Sequence, residues 1–457
     1  MKPFKEEAYM RWGRISAALL LAALAALAPA RIANAEGEGT GVPGSGEMQL
    51  DLQAALELAR RHNLDLQAER IDLQTAERAS RNSWNQFLPS LDVSTGLSRS
   101  GTAAASAADS SPWSFSTGVS AGLSLSSAPR YRIQQTRLAF QAGEISYEEA
   151  VQQLDRDVKK AFYDLMVKDE KIRLVERNMQ TAAKRYQQER AGYEKGLVSE
   201  LTMLTARVAY ENLRPRLEEA RVAYRTAELA LKQLIGLDRS AAVSLRGSLQ
   251  APEITLDAGA LAERHLQERF DVQAQVNTVR SLENRKKLSS AEEFSPTLSL
   301  SYSYSTYLAD PFHADWGQPG SWSGRSSVGV SLSMYLDGLV PGSSSRTRVL
   351  EAEDAIRRAG IELRRTVQQA ELEIETLVLL AQKSMRTIQV LEQNLELAAR
   401  TYELTEREYE AGITGLLELE DAGDNLREAE VNLVEEKYAF LSTLFDLEYA
   451  LNTELDR

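Results

Sequence analysis

The chain has 457 residues, 53 Lys and Arg against 66 Asp and Glu, a net charge of −13 and no cysteine. That length covers more than one ordinary domain, and 26% charged residues with only 12 prolines set the chain apart from a disordered one. The missing cysteine excludes disulfides, Cys-ligated zinc, a thiol nucleophile and an N-terminal lipid-carrying cysteine. The acidic balance speaks against nucleic acid as a partner.

Residues 1–35 read as a secretory signal. Lys2, Lys5, Arg11 and Arg14 give a basic start, Ile15 to Ala28 is an apolar run, and Ala33-Asn34-Ala35 is a small-x-small cleavage site, which makes Glu36 the expected first mature residue. The run is short for a membrane span and Pro29 follows it. Removing its five positive and two negative charges takes the net charge from −13 to −16. Residues 36–49, rich in Gly, read as a flexible arm.

The first repeat spans residues 50–235. Residues 50–87 have a helical pattern in two pieces that meet near His62-Asn63, and Pro89 stops it. The period then changes to two. Strands are expected at about 90–99 and 113–126, with Leu91, Val93, Thr95 and Leu97 alternating against Asp92, Ser94, Gly96 and Ser98, and a Ser/Ala-rich loop opening at Gly101. A long hairpin occupies 130–235. Its first helix runs from about Arg130 to Ala191, some 60 residues or ~90 Å. The return helix runs from about Ser199 to Ile235, and Pro215 should kink or break it.

Residues 236–255 form a linker. The second repeat spans 256–452, with strands at about 297–307 and 327–336 and a hairpin at 343–452; residues 453–457 are a C-terminal end. Tyr186, Tyr193, Gly196, Leu201 and Ala206 fall on Tyr402, Tyr409, Gly412, Leu417 and Ala422 at one offset (402 − 186 = 216). The heptad seams share that register, from Val151 to Tyr186 and from Val367 to Tyr402, with Lys168 and Ser384 as the polar lapse in each.

The four strands have one apolar or aromatic face and one of Ser and Gly, the pattern of membrane strands with a lipid side and a lumen side. Trp113, Phe115, Tyr307, Trp316 and Trp322 fall near strand–loop junctions, as an interfacial girdle would. Four strands cannot close a transmembrane barrel, and open edges are excluded in lipid. Several chains must therefore share one barrel: three give 12 strands, two give 8.

In its signal, its doubled helix–strand–strand–hairpin order and its Tyr-x-x-Gly tips, the chain resembles the TolC family over about Leu50 to Asn452. These are the trimeric outer-membrane channels of drug efflux and type I secretion. The resemblance implies a mainly α fold with a transmembrane β part. Two tandem repeats would build, as a homotrimer, a 12-strand barrel in outer-membrane lipid and a 12-helix periplasmic tunnel. It implies a periplasmic adaptor docked on the tips and an inner-membrane pump or ABC exporter beyond it, with no enzymatic activity and no cofactor. Gly196, Leu197, Val198 and Ser199, and Gly412, Ile413, Thr414 and Gly415, match the adaptor-docking tips. Glu418 and Asp421 match the acidic constriction, and Tyr409 a position that latches the closed tip. Thr414 stands where some members carry Arg.

The i, i+3 spacing of Glu418 and Asp421 puts both on one helix face, and symmetry would turn them into carboxylate rings that favour cations. Acidic residues near a helix start also suit the helix dipole alone. The first copy has Thr202 and Thr205 there. The scattered His62, His265 and His313 lack metal spacing, and no Gly-rich phosphate loop appears. Tyr and Met on the seams read as packing. The competing reading is a periplasmic coiled-coil adaptor or scaffold without membrane strands.

Overall fold

A computed structural model describes residues 48–99, 113–252, 254–336, 338 and 340–455. The expected signal, the arm up to residue 47 and the loop opened by Gly101 lie outside the described residues.

The chain starts with β1 (Met48–Leu50), α1 (Leu52–His62) and α2 (Leu64–Arg81), followed by a 3-10 turn, Ser83–Phe87. Asn63 makes the break between the two helices. It is extended, and its side chain accepts from Leu66 N at 2.9 Å, capping α2. Strands β2 (Ser90–Arg99) and β3 (Trp113–Leu125) lead into α3 (Ala128–Glu194). At 67 residues, α3 is ~100 Å long. It starts a little before the sequence pattern suggests. Pro129 sits inside its first turn, where a missing N–H leaves no bond unmade.

α4 (Glu200–Leu234) returns along α3 as one continuous helix, so Pro215 does not break it. Pro215 and Glu211, whose carbonyl it leaves without a partner, are both exposed, so water can satisfy that group. The linker contains β4 (Val243–Leu245), which pairs in parallel with β1. Three-residue strands give too little alternation to be read from sequence.

The second copy runs α5 (Ala258–His265), α6 (Phe270–Phe294), β5 (Thr297–Ala309), β6 (Trp322–Ser333), α7 (Ser344–Glu410) and α8 (Leu416–Leu451). The last strand lies at 322–333 rather than 327–336, because Trp322 to Arg325 pair with Leu308 to Ser305 although Gly324 and Arg325 interrupt the apolar alternation.

Each hairpin has its own core. In the first, Val158, Phe162 and Leu165 of α3 meet Leu231 and Ile235 from the α4 side, with Ala55 and Ala59 of α1 against them. In the second, Ile374, Val378 and Ala381 meet Leu447 and Leu451. These are the same positions 216 residues on, so the repeat in sequence is a repeat in packing. Helix α3 also lies against α8, α6 packs on both α3 and α7, and α2 packs on α3. The α3–α8 contact carries ion pairs: Lys159 to Glu448 at 3.0 Å, Lys160 to Asp446 at 2.6 Å, Lys171 to Glu435, and Arg185 to Glu420 at 2.9 Å.

The strands form one antiparallel sheet in the order β2-β3-β5-β6. The β3–β5 register joins the copies and aligns their faces. Leu91, Val93 and Leu97 share a side with Phe115, Val119 and Leu123, with Leu300, Tyr302 and Tyr304, and with Val328, Val330 and Leu332. Ser and Gly fill the other side, and Tyr307 lies there, between Ser116 and Ser323, not in an apolar girdle. The remaining aromatics pack on one another at one end: Phe115 lies 5.0 Å from Trp316 and 6.1 Å from Trp322, and Trp113 lies 5.6 Å from Phe312. The indoles of Trp316 and Trp322 donate to Pro311 O and Trp316 O, which anchors the loop over the buried Leu308.

Candidate gate at the hairpin tips

Both tips are built alike. Gly196 and Gly412 take φ of 72° and 70°, the left-handed region in which a side chain is strained. Leu197 N donates to Gly192 O and Gly196 N to Tyr193 O; Ile413 N donates to Glu408 O and Gly412 N to Tyr409 O. This is the Schellman pattern at each helix end. The return helices start differently. Ser199 accepts from Thr202 N at 3.2 Å. Gly415 has no side chain to offer α8, and the carboxylate of Glu418 folds back over it. Leu197, Leu201, Ile413 and Leu417, equivalent in pairs, are 65–77% exposed. Val198 is half-buried against Gly192.

Glu418 and Asp421 are both exposed. Asp421 lines a cleft of about 450 Å³ between α3, α4 and α8, whereas Glu418 lies outside it. The cleft is strongly charged, with Arg177, Arg185, Arg216 and Arg427 facing Glu420, Asp421, Asp424 and Glu430. Burial lowers the Arg427 pKa from its ordinary value and raises that of the Glu430 carboxyl.

Beside the cleft, the two hairpins are bonded together. Arg185 of α3 donates to Glu420 at 2.9 Å and to the Tyr402 hydroxyl at 3.2 Å, and Tyr402 donates to Glu406 at 3.3 Å. Burial opposes the charge on Arg185, but its bonds to Glu420 and Tyr402 outweigh that and raise its pKa. One turn nearer the tip, Tyr409 donates to Glu189 Oε1 at 2.6 Å. Burial, and then the Glu189 carboxylate, push the Tyr409 phenol well above its usual pKa, so it stays a donor. Glu189 is 7% exposed, and its Oε2 is buried with no hydrogen-bond partner.

Sequence reasoning singled out Tyr409 but not Arg185, Glu189, Tyr402 or Glu420. Tyr402 sits in a polar network, which corrects its reading as packing. Its counterpart Tyr186 does pack, stacked on Tyr210 at 6.4 Å. A signal was available in the repeat itself. Arg185, Glu189 and Glu420 stand opposite Thr401, Thr405 and Leu204 in the other copy. These three polar residues break the repeat, and each bonds one copy to the other. Among the described residues, no group of His, Asp and Glu is placed to hold a metal ion.

Two long helical hairpins joined to one sheet with an apolar face and a Ser/Gly face are the architecture of an outer-membrane channel protein. The chain belongs to the outer membrane efflux protein family, whose profile matches residues 55–237 and 261–453. It is 23% identical over 402 residues, covering 88% of this chain and 80% of the relative, to the toluene efflux pump outer membrane protein TtgC of Pseudomonas putida. Its fold is similar to that of the Campylobacter jejuni CmeC outer membrane channel, with a TM-score of 0.72, 19% identity and coverage of 88% of this chain and 85% of the other. It is also similar to the open state of the Neisseria gonorrhoeae MtrE outer membrane channel, with a TM-score of 0.69, 18% identity and coverage of 89% and 90%. The protein is thus a passive outer-membrane channel component of a tripartite efflux or secretion system and not an enzyme, which sets aside the adaptor reading. Among the described residues, no helix is long and apolar enough to cross a membrane.

Proposed function

We propose that three copies form one continuous duct, a 12-strand barrel in the outer membrane above a 12-helix periplasmic tunnel. The observation that carries this is the four-stranded sheet. Among the described residues its edge strands β2 and β6 each have a side without a partner, and its apolar face is exposed, with Leu91 at 76% and Val328 at 79%. In lipid those edges need partners, and further copies supply them. An eight-strand barrel is filled by its own side chains; a face of Ser and Gly suits a wider, water-filled bore.

The helices support the same assembly. Leu201, Val208, Val222 and Leu229 recur at seven-residue spacing on α4 and are exposed, with exposed Pro215 at the missing step. On α7, Leu350, Ile361, Leu372, Leu379, Val390, Leu397 and Leu404 are exposed at spacings of seven and eleven. Within the protomer α3 meets α8, which leaves α4 and α7 as the outer members of the set. A neighbour's α7 against α4 would cover both stripes.

The tips are the adaptor-docking end. Gly196, Leu197, Val198, Ser199, Gly412, Ile413, Thr414 and Gly415 present the exposed apolar turns to an adaptor fed by an inner-membrane pump or ABC exporter. The Tyr409–Glu189 and Arg185–Glu420 bonds hold the tip closed, and three copies of Glu418 and Asp421 line its entrance as cation-attracting rings. The test is extraction from outer membranes in mild detergent, followed by mass measurement and by crosslinking of α4 to α7 through cysteines at Val222 and Leu379. A particle three times the protomer mass is expected. A monomer soluble without detergent would overturn the assembly.

A further inference from the structure

The Ser/Gly side of the sheet is built almost wholly from small residues. Across β2, β3, β5 and β6 it carries Ser, Gly, Thr297 and Ala309, and only three larger side chains, Asp92, Tyr307 and Arg325. Two of these stand together. Tyr307 is opposite Ser323 and Arg325 is opposite Ser305, so they occupy diagonal positions of the β5–β6 pair. Both are near the loop end, Tyr307 two residues before β5 stops and Arg325 three residues after β6 starts. Asp92 sits on the far edge strand, β2, in the next row toward the hairpins. Tyr307 is 52% exposed, Arg325 is exposed, and neither forms a side-chain hydrogen bond or ion pair among the described residues. The β5–β6 loop leans to the other side of the sheet: Trp316 lies 5.0 Å from Phe115 and Phe312 lies 5.6 Å from Trp113, both contacts on the apolar side.

We infer that Tyr307 and Arg325 form a constriction at the outer end of the bore that favours anionic solutes over cationic ones. The inference rests on the three-copy duct proposed above and deepens it, by saying what the far end of that duct selects. Three-fold symmetry puts the three copies of each residue at one height, whatever the stagger between neighbouring sheets. Twelve strands ~4.8 Å apart and tilted by ~40° enclose a bore ~24 Å across between backbones. Ser and Gly leave that width nearly whole. Three phenol rings and three guanidinium groups, carried on adjacent strands, reach much further in and narrow it. Rings of Arg draw anions as acidic rings draw cations, and the low-dielectric wall of a bore in lipid concentrates that field. No carboxylate of the same copy cancels it at close range on this face, since Asp92 stands three strands from Arg325, ~14 Å across the sheet. The duct then meets its solutes with opposite signs at its two ends, carboxylates at the tip and guanidinium groups at the mouth.

The chain has no cysteine, so one introduced thiol is a unique reporter. Ser305→Cys puts it directly opposite Arg325, and Ser299→Cys puts it six residues nearer the hairpins, ~20 Å away. Each full-length oligomer, in non-ionic detergent and ~0.1 M salt, is labelled with sulfonatoethyl and with trimethylammonioethyl methanethiosulfonate, and the ratio of the two rates is read. Arg325→Ser matches the surrounding face and keeps the strands intact. It should lower the anion-to-cation ratio at Ser305→Cys about 3-fold, and Arg325→Glu should lower it by as much again. The ratio at Ser299→Cys should stay put, because Arg325 is about two Debye lengths away. Tyr307→Ser should leave both ratios alone and speed the labelling of Ser303→Cys, on intact cells, by a bulky polyethylene glycol maleimide. A ratio at Ser305→Cys that ignores the residue at 325 would overturn the anion-favouring ring, and bulky labelling that ignores the residue at 307 would overturn the constriction, with the duct left standing in both cases. An unaltered chain that forms no oligomer would overturn the three-copy duct itself, and its mouth with it.

Discussion

Replacing Tyr409 by Phe removes a single oxygen from the tip. That hydroxyl makes the one side-chain hydrogen bond found for Glu189 among the described residues, at 2.6 Å, since Oε2 is already buried without a partner. The variant leaves a carboxylate that is 7% exposed with no donor at all. A hydrogen bond to a charged group contributes about 1.5–3 kcal/mol. A loss of ~2 kcal/mol favours the open tip roughly 30-fold in each protomer. Three tips that open together combine the losses to ~6 kcal/mol, the size needed to move a two-state population from 1:99 to 99:1. Tyr409→Phe should therefore raise the open fraction and conductance of single channels in planar bilayers. It should also sensitise cells to large antibiotics that the closed duct excludes. Glu189→Gln keeps an acceptor and should have a smaller effect. Tyr409→Phe combined with Glu189→Leu should fall short of the sum of the single changes, because both act through one bond. Tyr409→Phe channels made in normal amounts, with unchanged conductance and unchanged exclusion, would refute the latch.

Three further expectations follow from separate parts of the chain. Glu418→Ala with Asp421→Ala should weaken cation selectivity and block by divalent ions in bilayers, while retained selectivity and block would remove both residues from the gate. Gly236→Ala places a Cβ 2.6 Å from the backbone oxygen of His62, at φ +68°, whereas a Cβ at Gly196 meets nothing within 4 Å. Gly196→Ala should thus cost only the left-handed strain, about 1–2 kcal/mol, and Gly236→Ala clearly more, as seen in melting temperatures; equal losses would contradict the close packing of α4 on α1. Burial alone would lift the Glu228 carboxyl, but hydrogen bonds from Lys232 and Arg225 outweigh it and hold its pKa below the ordinary 4.5. Its contribution to stability is then complete above that value and is lost as pH falls through the lower folded value. Glu228→Gln should lose less stability than the unaltered protein between neutral pH and the acid limb, and parallel melting curves would contradict this linkage.

The elements of this fold were legible because each obeys a local rule. Seams of seven residues gave the hairpins, a period of two gave the strands, and Gly with Tyr three residues before it gave the tips. The turns proposed for docking and the acidic pair proposed for the gate were singled out through the repeat and a family resemblance, and Tyr409 through the resemblance. Arg185, Glu189 and Glu420 were not found, since each reads as one more solvated charge on a long helix. Their partners lie 235 and 220 residues away in the chain for Arg185 and Glu189.

The sequence by itself determined two copies of one helix–strand–strand–hairpin unit, the ends of most elements and the two faces of each strand. These depend on neighbours a few positions apart, where backbone geometry and side-chain period act directly. Only the tertiary structure decided that β3 joins β5, that α3 lies against α8, and that the hairpins are bonded through a few carboxylates. Those contacts arise where two copies of nearly the same surface meet. Which charge meets which there depends on the rotation and register of whole elements, and no local pattern encodes that.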